Sequence, residues 1–285
     1  GWEIDNPGED LELSPEEREA IKIMENSKTK NNGRYQVSCL WRPGCPNLNN
    51  NAGFALARLR SLDKFKRFTH ERRKEYDAVL ESWISQGFVT ELPKEKLYES
   101  NVWYLPHFPV IKGSKIRPVF DGRAVYKEQS LNQQVYKGPN WIGDLSKILL
   151  RFRSKSICLG TDLKDMFLNI FMDENSRQFH RFLWRNVDGE LRVLQFNVHI
   201  FGNAGSPAVA VFVLKSTAQE NASGCPRAAE TINESSLMDD ILDSFDSVEE
   251  ARKALQELLK VFEEAGFEAH KFISNAKEIM QIIPE

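Results

Sequence analysis

Two acidic clusters, each beside an apolar run, constrain this chain more than any other feature. Thr161-Asp162-Leu163-Lys164-Asp165-Met166-Phe167 follows Ile157-Cys158-Leu159-Gly160, and far downstream lies Leu237-Met238-Asp239-Asp240-Ile241-Leu242. A carboxylate at the end of a buried strand has to be capped, paired or bound to a cation, because desolvating a lone charge is costly. Either cluster alone has an ordinary explanation: Asp162 as a helix cap, and Asp239-Asp240 as turn residues that bond their own backbone. Together they describe acids from separate strands meeting at one point, which is what two-metal phosphoryl transfer requires.

Size and composition leave room for this. A chain of 285 residues, 41% hydrophobic and 28% charged, can bury a good core in one large domain or two subdomains. No apolar stretch reaches the roughly 18 to 20 residues of a membrane span, so no membrane partner is expected. The start, Gly1-Trp2-Glu3-Ile4, is neither a signal peptide nor an initiator methionine, and the chain is expected to be a segment of something longer. The net charge of −3 argues against an overtly basic nucleic-acid binder. Its distribution is uneven, however: the first 26 residues are acidic, whereas Arg58, Arg60, Lys64, Lys66, Arg67, Arg72, Arg73 and Lys74 form a basic stretch, followed by Lys147, Arg151, Arg153 and Lys155. Such stripes can contact phosphates, or they can be solvated helix faces. Cys39, Cys45, Cys158 and Cys225 show no zinc-ligand or disulfide spacing and are expected to be free thiols, and the five histidines have no metal spacing.

The first 60 residues look irregular, a lead-in segment with a helix start at Ser14-Pro15-Glu16-Glu17, a turn at Asn31-Asn32-Gly33 and a loop from Pro43 to Asn51. From Thr69 the spacing of Tyr76, Val79, Leu80, Trp83 and Ile84 predicts a helix stopped by Gly87. Trp103–Ile111 and Lys115–Asp121 suggest a proline-interrupted hairpin across Lys112-Gly113-Ser114. Trp141–Phe152 has helical spacing, Ile157–Asp162 suits a buried strand ending on the aspartate, and Pro207 opens an apolar helix over Ala208–Ala218. Leu237–Leu242 suits a hairpin turning on Asp239-Asp240, in which unpaired carboxylates would be buried among apolar neighbours. Ser247-Val248-Glu249-Glu250 is a capping box for a helix running to Gly266. Helices and strands alternate irregularly, which predicts an α+β fold.

The order of several segments then carries a resemblance. Asn101-Val102-Trp103-Tyr104-Leu105-Pro106-His107-Phe108-Pro109-Val110, Ile116-Arg117-Pro118-Val119-Phe120-Asp121, the Asp162 cluster, Arg181-Phe182-Leu183-Trp184-Arg185, Phe201-Gly202-Asn203-Ala204-Gly205-Ser206-Pro207 and Leu237-Met238-Asp239-Asp240 resemble LTR-retrotransposon reverse transcriptases. The Tyr-Leu-Pro-His and Arg-Phe-Leu-Trp-Arg pieces look like the Pao/BEL lineage. The likeness covers roughly residues 95–275. It implies a right-hand polymerase: a lead-in segment over 1–60, fingers over 61–127 and 169–200, and an antiparallel palm sheet packed on helices over 128–168 and 201–285. The thumb, RNase H and integrase of the polyprotein lie beyond this segment, and the protease upstream of it.

The resemblance also implies roles for individual residues. Asp162, Asp239 and Asp240 would ligate two magnesium ions, with manganese as a substitute. Arg117 would hold the triphosphate of the incoming dNTP, assisted by Lys112 or Lys115; Gly205 would line the substrate site; Lys271 would protonate pyrophosphate. Phe167, five residues after Asp162, would block a 2′-hydroxyl and so mark a DNA-synthesising enzyme. The expected partners are a primed RNA or DNA template, dNTPs and the other Pol domains, in cytoplasmic retrotransposon particles. Leu237 departs from the aromatic usual at its position. Two other readings stay open: a relic that folds and binds nucleic acid without turnover, and an RNA-dependent RNA polymerase.

Overall fold

The computed structural model describes residues 13–64, 68–113 and 115–283. The acidic start Trp2-Glu3-Ile4, Lys66 and Arg67 of the basic run, and Ser114 of the hairpin turn lie outside the described residues. The elements in chain order are α1 (Pro15–Ser27), β1 (Thr29–Asn31), β2 (Arg34–Gln36), α2 (Ala52–Asp63), α3 (His70–Ser85), β3 (Val89–Leu92), β4 (His107–Lys112) and β5 (Lys115–Phe120). Next come α4 (Leu145–Phe152), β6 (Ile157–Lys164), α5 (Glu174–Arg177), β7 (Arg181–Arg185), β8 (Leu191–Phe196) and α6 (Ser206–Asn221). The last are α7 (Pro226–Ser235), β9 (Ser236–Leu237), β10 (Asp240–Phe245), α8 (Val248–Ala265), β11 (Glu268–Ser274) and α9 (Lys277–Met280). Every strand ladder among the described residues is antiparallel. The mixture of helices with antiparallel sheets agrees with the α+β expectation.

Local chemistry explains most boundaries. Ser14 and Glu17 close a full capping box on α1, with Pro15 in its first turn. Thr69 caps α3 through the backbone N–H of Arg72. At α8 the box is only half formed: Ser247 accepts from the Glu250 backbone, but the Glu250 carboxylate turns to the backbone N–H of Asp246. Gly266, in the left-handed conformation at φ +75°, ends that helix.

Four expectations need correction. The first 60 residues are not irregular: α2 begins at Ala52 and buries Ala55, Leu59 and Leu62. Its cap is hidden because the Asn51 side chain is spent elsewhere, bonding both the N–H and the C=O of Tyr104. β4 begins at His107, not Trp103; the 103–105 stretch runs alongside Arg181, whose N–H donates to Trp103 and whose carbonyl accepts from Leu105. Pro109 and Pro118 face each other in the hairpin, so both missing donors fall on one rung. α4 starts at Leu145 instead of Trp141, since Asp144 caps it through Ser146 and Lys147. β6 also continues to Lys164, two residues past Asp162.

Two cores result. In the first, the four-stranded sheet β11-β6-β10-β9 turns one face toward helices. Leu159 and Leu163 of β6 and Ile241 and Phe245 of β10 pack with Val209 and Val213 of α6, Ile232 of α7, and Leu255, Leu258 and Phe262 of α8. The alternation of strand side chains then sends Gly160, Asp162, Asp240 and Leu242 to the other face. In the second core, the sheet β3-β8-β7 and the β4-β5 hairpin enclose an aromatic cluster. Tyr76 stacks on Trp184 with ring centres 4.4 Å apart, and Phe120 meets Phe196 and Phe182 edge-on at 4.8 and 4.9 Å.

Three histidines are built into this interior. His107 Nδ1 pairs with the Tyr76 hydroxyl at 2.5 Å and its Nε2–H donates to the Leu183 carbonyl. His180 donates from Nδ1 to the Ser176 carbonyl and receives the Asn203 amide at Nε2, while His199 Nε2 donates to the Val37 carbonyl. Burial pushes all three imidazoles down to about 4, far below the ordinary value of 6.5. Because the unfolded chain binds these protons more readily, the stabilisation is full above about pH 6.5 and is lost as pH falls toward 4. Urea midpoints measured at intervals from pH 7.5 to 4 are expected to fall steeply across that window, and replacing His107 by Gln should flatten the slope. An unchanged slope would mean that the ring is not held neutral.

Candidate active site

The acids form a row across the sheet. In register, Asp240 of β10 is the direct partner of Asp162 of β6, and Asp162 is in turn opposite His270 of β11. Directly opposed residues share a face, with Cα atoms about 4.5 to 5.5 Å apart. The β9–β10 turn is Met238-Asp239, with Asp240 as the first strand residue, so the turn lies one position earlier than the sequence suggests. Met238 takes φ +58° there. The carbonyl of Asp239 accepts from the N–H of Leu163 at 2.8 Å, which fixes the turn against β6.

The electrostatics differ from the sequence expectation. Asp239 and Asp240 are exposed, not buried among apolar neighbours, while Asp162 retains 19% of its side-chain exposure. Partial burial, and then the carboxylates of Asp239 and Asp162, raise the pKa of Asp240; Lys271 opposes the shift. Lys271 reaches the row through a bulge, where Lys271 and Phe272 together oppose Thr161 between the His270 and Ile273 pairings. Its backbone is left-handed at φ +53°, and its ammonium donates to Asp162 Oδ2. His270 Nε2 sits 3.2 Å from the same oxygen. A scattered set of structural histidines is therefore correct for His107, His180 and His199 but not for His270, which sequence spacing did not connect with Asp162.

A cavity of about 570 Å³ opens at Phe167, five residues after Asp162 in the chain. Phe167, on the short turn after β6, lines it with Phe120, Asp121, Arg123, Trp141 and Phe201. Phe167 and Phe201 meet edge-on with centres 6.0 Å apart, and Phe201 is 72% exposed. The walls touch backbone to backbone: a Cβ on Gly122 would stand 2.3 Å from the Gly202 carbonyl oxygen, and one on Gly202 would stand 2.3 Å from that of Phe120. Gly202 also has φ +121°, a conformation open only to glycine. Gly205 does not line this cavity; it is buried at the start of α6, where a Cβ would lie 2.9 Å from the Tyr136 carbonyl oxygen. No side chain fits there without a shift of Tyr136 or Leu40.

The remaining candidates are dispersed. Arg117, Lys112 and Lys115 are exposed on one face of the β4–β5 hairpin, with Arg117 opposite Val110 and Lys112 opposite Lys115. Part of the basic stripe is structural: Arg73 bonds Asp63 while stacking on Phe68 and Trp184, Arg151 bonds Asp243 and Glu230, and Lys155 bonds Asp246. All four cysteines are free, as expected.

Residues 112–272, more than half of the chain, match the profile of the reverse transcriptase (RNA-dependent DNA polymerase) family. The chain belongs to this family. Among solved structures it is similar to the foamy viral protease-reverse transcriptase dRH in complex with ds DNA, with a TM-score of 0.54 and 21% identity over 69% of this chain. It is also similar to the foamy viral protease-reverse transcriptase in complex with RNA/DNA hybrid, with a TM-score of 0.54 and 19% identity over 72% of this chain. The chain spans 30% and 24% of the lengths of those two proteins, and the likeness establishes a shared fold. No protein of curated function gives a significant match.

The family generally uses divalent metal ions. The donors here suit a hard divalent cation in kind, being carboxylate oxygens concentrated on one sheet face. As they stand, no three acidic, histidine or cysteine side chains among the described residues are gathered closely enough to hold an ion. The Lys271 ammonium supplies the positive charge on Asp162 instead. Gly202→Ala should reveal how rigid this region is: strain of on the order of 2–3 kcal/mol is expected in urea unfolding from the conformation alone. A loss below about 0.5 kcal/mol would show that the turn relaxes freely.

Proposed function

We propose that the chain is the fingers and palm of an RNA-directed DNA polymerase encoded by a Pao/BEL-type LTR retrotransposon, adding dNTPs to the 3′ end of a primer on an RNA or DNA template. The observation that carries this reading is the cross-strand pairing of Asp162 with Asp240, one residue from Asp239, on the sheet face opposite the one packed on α6, α7 and α8, within a reverse transcriptase domain. The two cores support the division into palm and fingers, the first behind the sheet that carries the acid row and the second around the aromatic cluster. Leu131 packs in the aromatic core, and α2 begins before residue 61. The Tyr104-to-His107 and Arg181-to-Arg185 segments support the lineage.

Asp162, Asp239 and Asp240 would hold two magnesium or manganese ions, which when bound stabilise charge on the attacking 3′-oxygen and the leaving pyrophosphate. The chain's own groups do the rest. Arg117 offers a planar fork of donors to the triphosphate, with Lys112 and Lys115 as nearby point charges. Phe167 fills the space of a 2′-hydroxyl. Lys271, which bonds Asp162 here, would offer an N–H⁺ to the leaving group. The other Pol domains would complete the grip on the duplex, in a cytoplasmic particle.

Two expectations test this. Asp162→Asn and Asp240→Asn should each lower dNTP addition to a primed RNA template at least about 100-fold, roughly 2.7 kcal/mol in transition-state terms, while the protein stays folded, with Asp240→Asn no less stable than wild type. Manganese titration followed by water-proton relaxation should show the same variants binding more weakly; full activity and binding in either would sink the assignment. Phe167→Ala should raise ribonucleotide use relative to deoxynucleotide use by at least about tenfold, or roughly 1.4 kcal/mol. A wild-type preference for rNTPs would instead identify an RNA-synthesising enzyme.

A further inference from the structure

Neither the acids nor the aromatic wall explains what holds the exposed Phe201 ring against Phe167. A large aromatic that is 72% exposed has little packing to fix it, and it follows directly on Ile200, the last buried residue before the turn. Its orientation depends on the turn that carries it, residues 201–204. That turn is tied at two points to one side chain. Asn132 donates from Nδ2 to the Gly202 carbonyl at 3.0 Å and accepts at Oδ1 from the Ala204 N–H at 2.9 Å. The backbone N–H of Asn132 donates to the Gly122 carbonyl at 2.9 Å, so the same residue also holds the other wall. Asn132 is half-buried, and it bridges segments that meet glycine to glycine without space for a Cβ.

We propose that Asn132 is a positioning residue for nucleotide selection: its side-chain amide clamps the Phe201–Ala204 turn to the Phe120–Gly122 segment and thereby sets the Phe201 ring edge-on to Phe167. The proposal rests on the reading of Phe167 as the sugar-selecting residue. Both polar ends of the amide are engaged, which is what distinguishes a clamp from a single hydrogen bond. An isosteric acid could still accept from Ala204, but it has no donor for Gly202 and places an anion against that carbonyl. A freed turn lets Phe201 swing into solvent, and Phe167 then loses the neighbour that limits its own motion. The effect appears as weaker discrimination between sugars, not as a loss of chemistry.

The test uses the full chain with a dideoxy-terminated primer on an RNA template, measuring the concentration of matched dNTP or rNTP that retains the ternary complex. This readout needs no turnover; single-nucleotide incorporation supplies KM and kcat alongside it. Asn132→Ala is expected to lower the dNTP-over-rNTP preference at least about threefold, with the change in KM and little in kcat. Asn132→Asp should give a smaller loss of at least about twofold, which keeps the question open to measurement if the alanine variant does not fold. Phe201→Ala should reproduce the loss, and Asn132→Ala added to it should have no further effect on the ratio, since coupled residues are non-additive. A wild-type ratio in both Asn132 variants, or full additivity with Phe201→Ala, overturns the clamp. If Phe167→Ala also leaves the ratio unchanged, the sugar-selection reading itself fails; if Phe167→Ala shifts the ratio and Asn132 does not, only the clamp fails.

Discussion

The pairing of Asp162 with Asp240 across β6 and β10 is the constraint on which the rest of this structure turns. Like charges placed directly opposite each other destabilise a sheet by several tenths of a kcal/mol, so stability alone would not select the pair. The strain is visible in the raised pKa of Asp240 and in the left-handed Lys271, which crosses a bulge to bring its ammonium to Asp162. The helices behind the sheet make the arrangement affordable. With Leu159, Leu163, Ile241 and Phe245 anchored in a common core, the strands cannot slip by one residue without burying the acids.

The second core extends this constraint to the cavity. Phe120 is both an aromatic of that core and the residue whose carbonyl lies against Gly202, so packing of the hairpin base determines where the 201–204 turn can sit. Phe167 lines the same cavity from the turn that directly follows β6. One strand thus supplies an acid of the row and, five residues on, an aromatic wall of the cavity. The two sites share a scaffold, and a shift of β6 would move both.

Much of this was legible in the sequence, for identifiable reasons. Caps such as Ser14, Thr69 and Gly266 act within one helical turn, and the apolar runs around Asp162 and Asp240 announce their strands. What stayed hidden depends on partners distant in the chain. Asn51 looks like a loop residue, because its bonds go to Tyr104, and nothing local reports the close approach of Gly205 to Tyr136. His270 and Asn132 carry no spacing signal at all. Their roles come from register and from a contact between segments about 70 residues apart.

Strand β10 shows why an acid in a strand cannot be assigned from its neighbours in sequence. Asp240 and Asp243 lie three positions apart and therefore point to opposite faces. Asp243 is fully buried, yet it is bonded by Arg151 at 3.1 Å, by Thr231 at 2.7 Å and by the Ser244 N–H at 2.8 Å, with Arg227 at 3.5 Å. Removing one partner of such a buried charge typically costs 3–5 kcal/mol, because the other is left uncompensated. Asp243 is thus a structural acid, tying α4 and α7 to the strand. Asp240 forms no ion pair among the described residues, and the carboxylates of Asp239 and Asp162 lie near enough to raise its pKa. One strand therefore carries two aspartates with opposite electrostatic surroundings, and only register and the partners brought by distant elements tell them apart.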